Sequence, residues 1–278
     1  MKRRFAQVDV FTAVPYKGNP LAVVIDGEGL TDEEMQQFAN WTNLSETTFL
    51  VTPTDPEADY LVRIFTPSRE LPFAGHPTLG SCSMWLSHGG SPKRSDEVVQ
   101  QCGVGLVRLS LAGTRPAFAA PNLLRSGPVA DDDTTRIAAA LRIDETAIVA
   151  KQWIDNGPGW VGVLLESADE VLALEPDAAA FDDLKVGVAG AHPDGSNYAI
   201  EVRAFFPDVG SFAEDPVTGS LNASLAQWLL AEGRISSPYV ARQGTALGRD
   251  GRVHIHEADG EVWVGGDVVP CVTGTVDL

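Results

Sequence analysis

The segment Arg63-Ile64-Phe65-Thr66-Pro67 is echoed by Arg203-Ala204-Phe205-Phe206-Pro207 at an offset of 140 residues. A little further on, Gly75-His76-Pro77-Thr78-Leu79-Gly80-Ser81 is echoed by Glu214-Asp215-Pro216-Val217-Thr218-Gly219-Ser220 at an offset of 139. Half of the 278-residue chain is 139, so the copies hold matching places in its two halves. Each copy runs in the same order: a strand carrying an Arg, a loop, then a helix entered through X-Pro with Gly-Ser in its first turn. Self-similarity at a fixed offset constrains the whole fold. It predicts two similar domains with the ligand site in the cleft between them.

Local patterns fill in the halves. Phe5 to Val10 alternates and reads as a strand, followed by Leu21 to Ile25 after the turn Lys17-Gly18-Asn19-Pro20. Thr31 with Glu34 forms a capping box for a helix to about Trp41. Glu46 to Val51 and Tyr60 to Phe65 are β-rich. Pro77 to His88 and Pro216 to Ala231 read as helices with Pro at the first position and Gly past the end. Asp131 to Leu141 reads as a third, and strands are expected around Gly103 and Gly105 and at Trp160 to Leu165, Ala199 to Phe206 and Val253 to Ile255. The order lacks a strict βαβ rhythm, which places the chain in the α+β class.

The paired helix starts carry the chemistry. A helix N-terminus presents unpaired N–H groups and partial positive charge to an anion. Gly80-Ser81 and Gly219-Ser220 would let a ligand approach that backbone closely. His76 and Asp215 stand at the equivalent cap positions, and facing each other they would form an acid/base or polarising pair. Glu46 stands where the first helix gives way to a strand, a connection that often carries function.

Charge and missing motifs exclude other classes. With 20 Lys and Arg against 38 Asp and Glu, the net charge of −18 argues against nucleic acid and anionic membrane surfaces as partners. No run of 18 apolar residues occurs, so no membrane-spanning segment is expected. Met1-Lys2-Arg3-Arg4 resembles the start of a secretory leader, but Asp9 interrupts the apolar stretch, and a cytoplasmic location is expected. Cys82, Cys102 and Cys271 are too few and scattered for a disulfide framework. His254 and His256 share a strand face without a third ligand nearby, so no metal site is expected there. No dinucleotide fingerprint, phosphate loop or serine-hydrolase elbow is present.

Six ordered blocks resemble the PhzF family of phenazine-biosynthesis-like proteins. They are Val10-Phe11-Thr12 with Gly18 to Val23, Asn43 to Phe49, Arg63 to Pro67, Glu70 to Thr78, Glu214 to Ser220, and Arg242-Gln243-Gly244 with Gly248-Arg249. The resemblance implies a diaminopimelate-epimerase-like fold of two pseudo-symmetric domains, each a mostly antiparallel sheet around a central helix. The expected division is residues 1–118, with about 267–278 packing back onto them, and residues 119–266. It also implies a homodimer and a cofactor-independent, metal-free isomerase that moves a proton on a small carboxylate-bearing substrate. The family's acid/base Glu matches Glu46, and its supporting residues match His76, Asp215 and Ser220. Asn19, Ser45, Gly75 and Gly219 stand in the same blocks as expected substrate-binding residues. Racemases and epimerases of this fold use two cysteines in the helix-entry loops, where this chain has His76 and Asp215. An epimerase without the thiol pair, or a non-catalytic small-molecule binder of the same fold, are the alternatives.

Overall fold

The structure, a computed structural model, describes residues 1–208 and 211–278. The chain divides into two compact units, Met1–Ala119 with Gly265–Leu278, and Ala120–Val264.

In the first unit, strand Lys2–Val10 lies between Asn19–Val24 and Val268–Asp277, antiparallel to both. Helix α1 (Asp32–Thr42) then crosses over, so that Glu46–Val51 runs parallel to Asn19–Val24. The capping box on Thr31 starts α1, and Asn43 ends it in the left-handed conformation at φ 54°. Tyr60–Phe65 follows antiparallel, flanked by the short Glu70–Leu71 and by a parallel Glu97–Cys102, which turns into Gly105–Ser110. Helix α2 (Gly75–Ser87) packs against strands from both ends of this order, so the sheet wraps around it. Its first eight residues are all buried, which fits a run of small and apolar residues with no polar face.

The second unit contains α3 (Asp131–Leu141), α4 (Ala168–Ala173) and α5 (Gly219–Ala231). Strand Ala150–Asp155 pairs antiparallel with Trp160–Ser167, which after α4 runs parallel to Lys185–Ala191. Ile200–Asp208 follows antiparallel, flanked by the short Ser211–Glu214 and by a parallel Tyr239–Gln243, which turns into Gly251–Ala258. This is the pairing sequence of the first unit repeated, strand for strand and sense for sense. The fold is therefore α+β with one topology used twice. A core of Ile137, Leu141, Val161, Val163, Phe181, Val186 and Val188 joins α3 to the sheet.

The repeat reaches side chains. In the first copy Phe65 pairs with Glu70 and in the second Phe205 pairs with Glu214. Arg63 binds Glu70 and lies 5.2 Å over the Phe65 ring, and Arg203 binds Glu214 and lies 4.8 Å over the Phe205 ring. The repeated Arg is a clamp on the following hairpin.

Two readings of the helix starts are corrected. Helix α2 begins at Gly75 with Ala74 as its cap, so His76 is the second helical residue and Pro77 the third. Pro is tolerated there because first-turn N–H groups have no intrahelical acceptor. Helix α5 begins only at Gly219, capped by Thr218, so Asp215 and Pro216 precede the helix. The two helices thus start five positions apart in repeat register. Gly80 is also reassigned. A Cβ there would stand 2.5 Å from Leu21 Cδ2 and 3.1 Å from Val10 Cγ2, so it serves close packing of α2 on the sheet.

Candidate functional site

The left-handed Asn43 turns the chain out of α1, and an exposed Ser45 leads into Glu46, the first residue of its strand. Glu46 lies in register with Leu21 on the parallel neighbour. Across from it, the start of α2 presents His76, whose Nε2 lies 3.3 Å from Glu46 Oε2. The two side chains are 6% and 15% exposed. Asn19, fully buried, directs its amide nitrogen at His76 Nδ1 across 3.4 Å. An amide nitrogen only donates, so Nδ1 accepts and the ring proton sits on Nε2, on the side of Glu46.

Backbone geometry delivers Asn19. A Cβ on the preceding Gly18 would stand 2.2 Å from the Val10 carbonyl oxygen, so only glycine lets the turn press onto the strand. The Gly18 N–H donates to the buried Asp9 carboxylate at 3.2 Å. Buried hydroxyls then tie the three elements together. Ser81 of α2 donates to Thr48 Oγ1 at 3.0 Å, and Thr48 Oγ1 donates to the Ala22 carbonyl at 3.3 Å. Asn19, Glu46 and His76 are thereby fixed on one buried frame within the first unit.

Burial pushes the His76 imidazole down to about 3, so the ring is neutral near pH 7. The folded value lies below the ordinary 6.5, so between pH 6.5 and 3 the unfolded chain takes up a proton that the folded chain refuses. Stability from this residue is therefore complete above pH 6.5 and lost as pH falls toward 3, by at most about 1.4 kcal/mol per pH unit. Thermal melting from pH 7 to pH 4 is expected to fall more steeply for the wild type than for His76→Gln. Parallel curves would contradict a neutral buried ring.

The second unit builds a different polar group. Thr218 Oγ1 donates to Asp215 Oδ2 at 2.6 Å. The side chain of Gln243, fully buried at the end of its strand, receives the Thr218 N–H at 3.0 Å and Asn222 Nδ2 at 2.8 Å. Its own amide nitrogen donates to the Asp215 carbonyl and to Thr218 Oγ1, both at 3.0 Å. This is the physical reason α5 starts late. The Thr218 N–H is spent on Gln243 and so closes no helical turn on the residue four before it. Gly219 is the buried first residue of α5, and the next residue, Ser220, receives the Trp160 indole N–H on its hydroxyl at 3.1 Å. Asn156 donates to the Ser220 carbonyl at 3.0 Å.

The structure thus brings Asn19, Glu46 and His76 together in the first unit, with Gly75 buried beside His76. Asp215, Gly219 and Ser220 belong to one loop and helix start in the second. Thr48, Ser81, Thr218, Asn222 and Gln243 were assigned no role from sequence. Thr48, Thr218 and Gln243 stood in the resembling blocks and Ser81 in the repeated Gly-Ser, whereas Asn222 carried no signal. Cys82 is buried within α2 and burial pushes its thiol up to about 12, so thiolate chemistry has no support there. Among the described residues no His, Cys, Asp and Glu cluster is placed to hold a metal ion, and no helix is long and apolar enough to cross a membrane. His256 stacks on Trp263 at 6.3 Å.

Comparison with known proteins gives a consistent set of likenesses. The profile of the phenazine biosynthesis-like protein family matches residues 8–274. The chain is 33% identical to antisense-enhancing sequence 1 of Schizosaccharomyces pombe, with 97% of each chain covered. It is 34% identical to trans-2,3-dihydro-3-hydroxyanthranilate isomerase of Pseudomonas aeruginosa, over 90% of this chain and 89% of that one. A crystal structure of a PhzF-family phenazine biosynthesis protein from Enterococcus faecalis superposes with a TM-score of 0.82 at 25% identity, covering both chains completely.

Proposed function

The chain belongs to the phenazine biosynthesis-like protein family and is an isomerase of the PhzF type, and we propose that Glu46 carries its proton transfer on a small cyclic carboxylate. The observation that carries this reading is the Glu46 carboxylate set 3.3 Å from a buried imidazole whose tautomer is fixed by Asn19. As base, Glu46 takes a proton from a ring carbon. The C–H electron pair enters the ring as a new double bond, the existing double bond moves on, and the carbon at its far end takes the proton back from Glu46. Nothing is oxidised, and the protons balance: Glu46 takes up one and gives one back, after the one it holds has exchanged with solvent.

Each partner has a chemical task in this reading. His76 is neutral, so it is no imidazolium acid. With its proton on Nε2, 3.3 Å from Glu46 Oε2, it is placed to donate to that carboxylate and hold it toward the substrate while the carboxylate changes charge. Asn19 acts through His76 by keeping the proton on Nε2. Asp215 assists from the second unit. Ser45, Gly75, Gly219 and Ser220 bind the substrate, the last two at the N-terminal end of α5, where backbone N–H groups favour a carboxylate. A cytoplasmic homodimer completes the proposal.

The compound turned over by the named Pseudomonas isomerases is the test substrate. Wild-type protein incubated with trans-2,3-dihydro-3-hydroxyanthranilate in D2O is expected to change the ultraviolet absorbance of the diene and to give an isomer carrying one deuterium on carbon. Recovery of the unlabelled starting compound after prolonged incubation would overturn the reading.

A further inference from the structure

We infer that Gln243 is a positioning residue for the reaction: it locks Thr218 so that the Thr218 hydroxyl donates to, and aims, the Asp215 carboxylate. The inference rests on the reading above, in which Asp215 assists the proton transfer. Gln243 holds Asp215 from behind, through the Asp215 carbonyl and through Thr218.

The argument is one of saturated hydrogen bonding. A glutamine side chain has one acceptor oxygen with two lone pairs and one nitrogen with two protons. Gln243 uses all four. Its oxygen takes the Thr218 N–H and Asn222 Nδ2, and its nitrogen gives to the Asp215 carbonyl and Thr218 Oγ1. The amide cannot be flipped, because the Thr218 N–H and Asn222 Nδ2 would then face an NH2 group, donor against donor. With its direction fixed, the amide nitrogen occupies a lone pair of Thr218 Oγ1 and turns the hydroxyl proton away, toward Asp215 Oδ2 at 2.6 Å. That short contact is a charge-assisted bond on the carboxylate.

The same clamp sets the backbone. By taking the Thr218 N–H and supporting the Asp215 carbonyl, Gln243 keeps residues 215–218 out of the helix that the repeat would otherwise continue. The matching residues of the first copy are helical, with His76 at the second helical position. One topology therefore delivers a histidine from a helical turn and an aspartate from an extended one. Gln243 is fully buried, so an ordinary solvent-facing role for its amide is excluded.

The test is a set of variants assayed on trans-2,3-dihydro-3-hydroxyanthranilate, with melting curves to confirm that each is folded. Thr218→Val is nearly isosteric, keeps the N–H that Gln243 receives, and removes only the hydroxyl. Loss of a bond to a charged group predicts roughly a 10- to 100-fold fall in kcat with little change in KM. Thr218→Ser restores the hydroxyl and is expected to restore most of the rate. Gln243→Glu keeps both acceptor contacts but loses both donors, so its rate is expected to be low at neutral pH. In an Asp215→Asn background, Thr218→Val is expected to cost nothing further, because the hydroxyl acts through the carboxylate.

A Thr218→Val enzyme with wild-type kcat and pH profile, measured where Glu46→Gln is inactive, overturns the inference and leaves the Glu46 reading standing. So does a Thr218→Val cost that multiplies fully with that of Asp215→Asn. Wild-type protein that leaves the compound unchanged, or a Glu46→Gln variant at full rate, overturns the Glu46 reading itself and this inference with it.

Discussion

Glu46→Gln is expected to lower turnover of trans-2,3-dihydro-3-hydroxyanthranilate by about 10²–10⁴-fold, the usual worth of a positioned general acid/base. Gln preserves the length and planarity of the side chain and can still meet His76 within the 3.3 Å separation. In the proposed reaction it removes the group that would take up and return the proton. KM should therefore change little while kcat carries the loss, the pattern of an interaction made only in the transition state. Glu46→Asp keeps the carboxylate but withdraws it by one methylene from His76 and from the reacting carbon. A displacement of about 1 Å can cost on the order of 10²-fold, so this variant should fall between the wild type and Glu46→Gln. Kinetics followed by diene absorbance, with product deuterium read by mass spectrometry, check both variants. A Glu46→Gln enzyme within twofold of the wild type would remove Glu46 from the chemistry.

Local chemistry explains why parts of this arrangement were legible in the sequence. The capping box at Thr31 and the limits of α3 depend on residues within a few positions, and they stand where the pattern puts them. The repeat was legible because its two marks, the strand Arg and the X-Pro helix entry, recur at one offset, and the pairing order of the two units repeats accordingly. Where long-range partners decide, local pattern fails. The late start of α5 is set by Gln243, 25 residues beyond Thr218 in the chain. The segment Lys185–Ala191 is rich in Gly and Ala and carries no strand signature, yet it is a largely buried strand. A Cβ on its Gly187 would stand 2.2 Å from Leu221 Cδ1 of α5, so glycine is required by the helix lying against it. The site divides in the same way. Glu46 and His76 were marked by position, whereas the link between Asn19 and His76, 57 residues apart, exists only in three dimensions.

The repeated Arg clamp separates burial from motif, and its two copies should respond very differently to truncation. Arg203 is 6% exposed and its partner Glu214 11%. Its Nε and Nη2 bind the two oxygens of Glu214 at 2.9 and 2.8 Å, and its Nη1 donates to the Val171 and Leu174 carbonyls at the end of α4. Arg203→Met removes the charge, strands a buried carboxylate and leaves two helix-end carbonyls without this donor. The expected cost is about 3–5 kcal/mol, the range for breaking a buried pair from one side. Arg63 makes the equivalent contacts to Glu70, with Asp32 added, but at 26%, 41% and 77% exposure. Water replaces those bonds, so Arg63→Met should cost about 0–1 kcal/mol. The pairwise nature of the larger loss has its own signature. Arg203→Met with Glu214→Leu removes the stranded charge along with its partner, and it should be less destabilising than Arg203→Met alone. Urea unfolding of the three variants beside the wild type reads each of these differences. Equal midpoints for Arg203→Met and Arg63→Met would show that burial of the second pair adds nothing. The consequence reaches the site through the chain, since Glu214 immediately precedes Asp215, whose N–H donates to the Ala204 carbonyl next to Arg203. A loosened Arg203 clamp therefore frees the same segment that Gln243 holds from its other end, and kcat of Arg203→Met should fall even at temperatures where the variant remains folded.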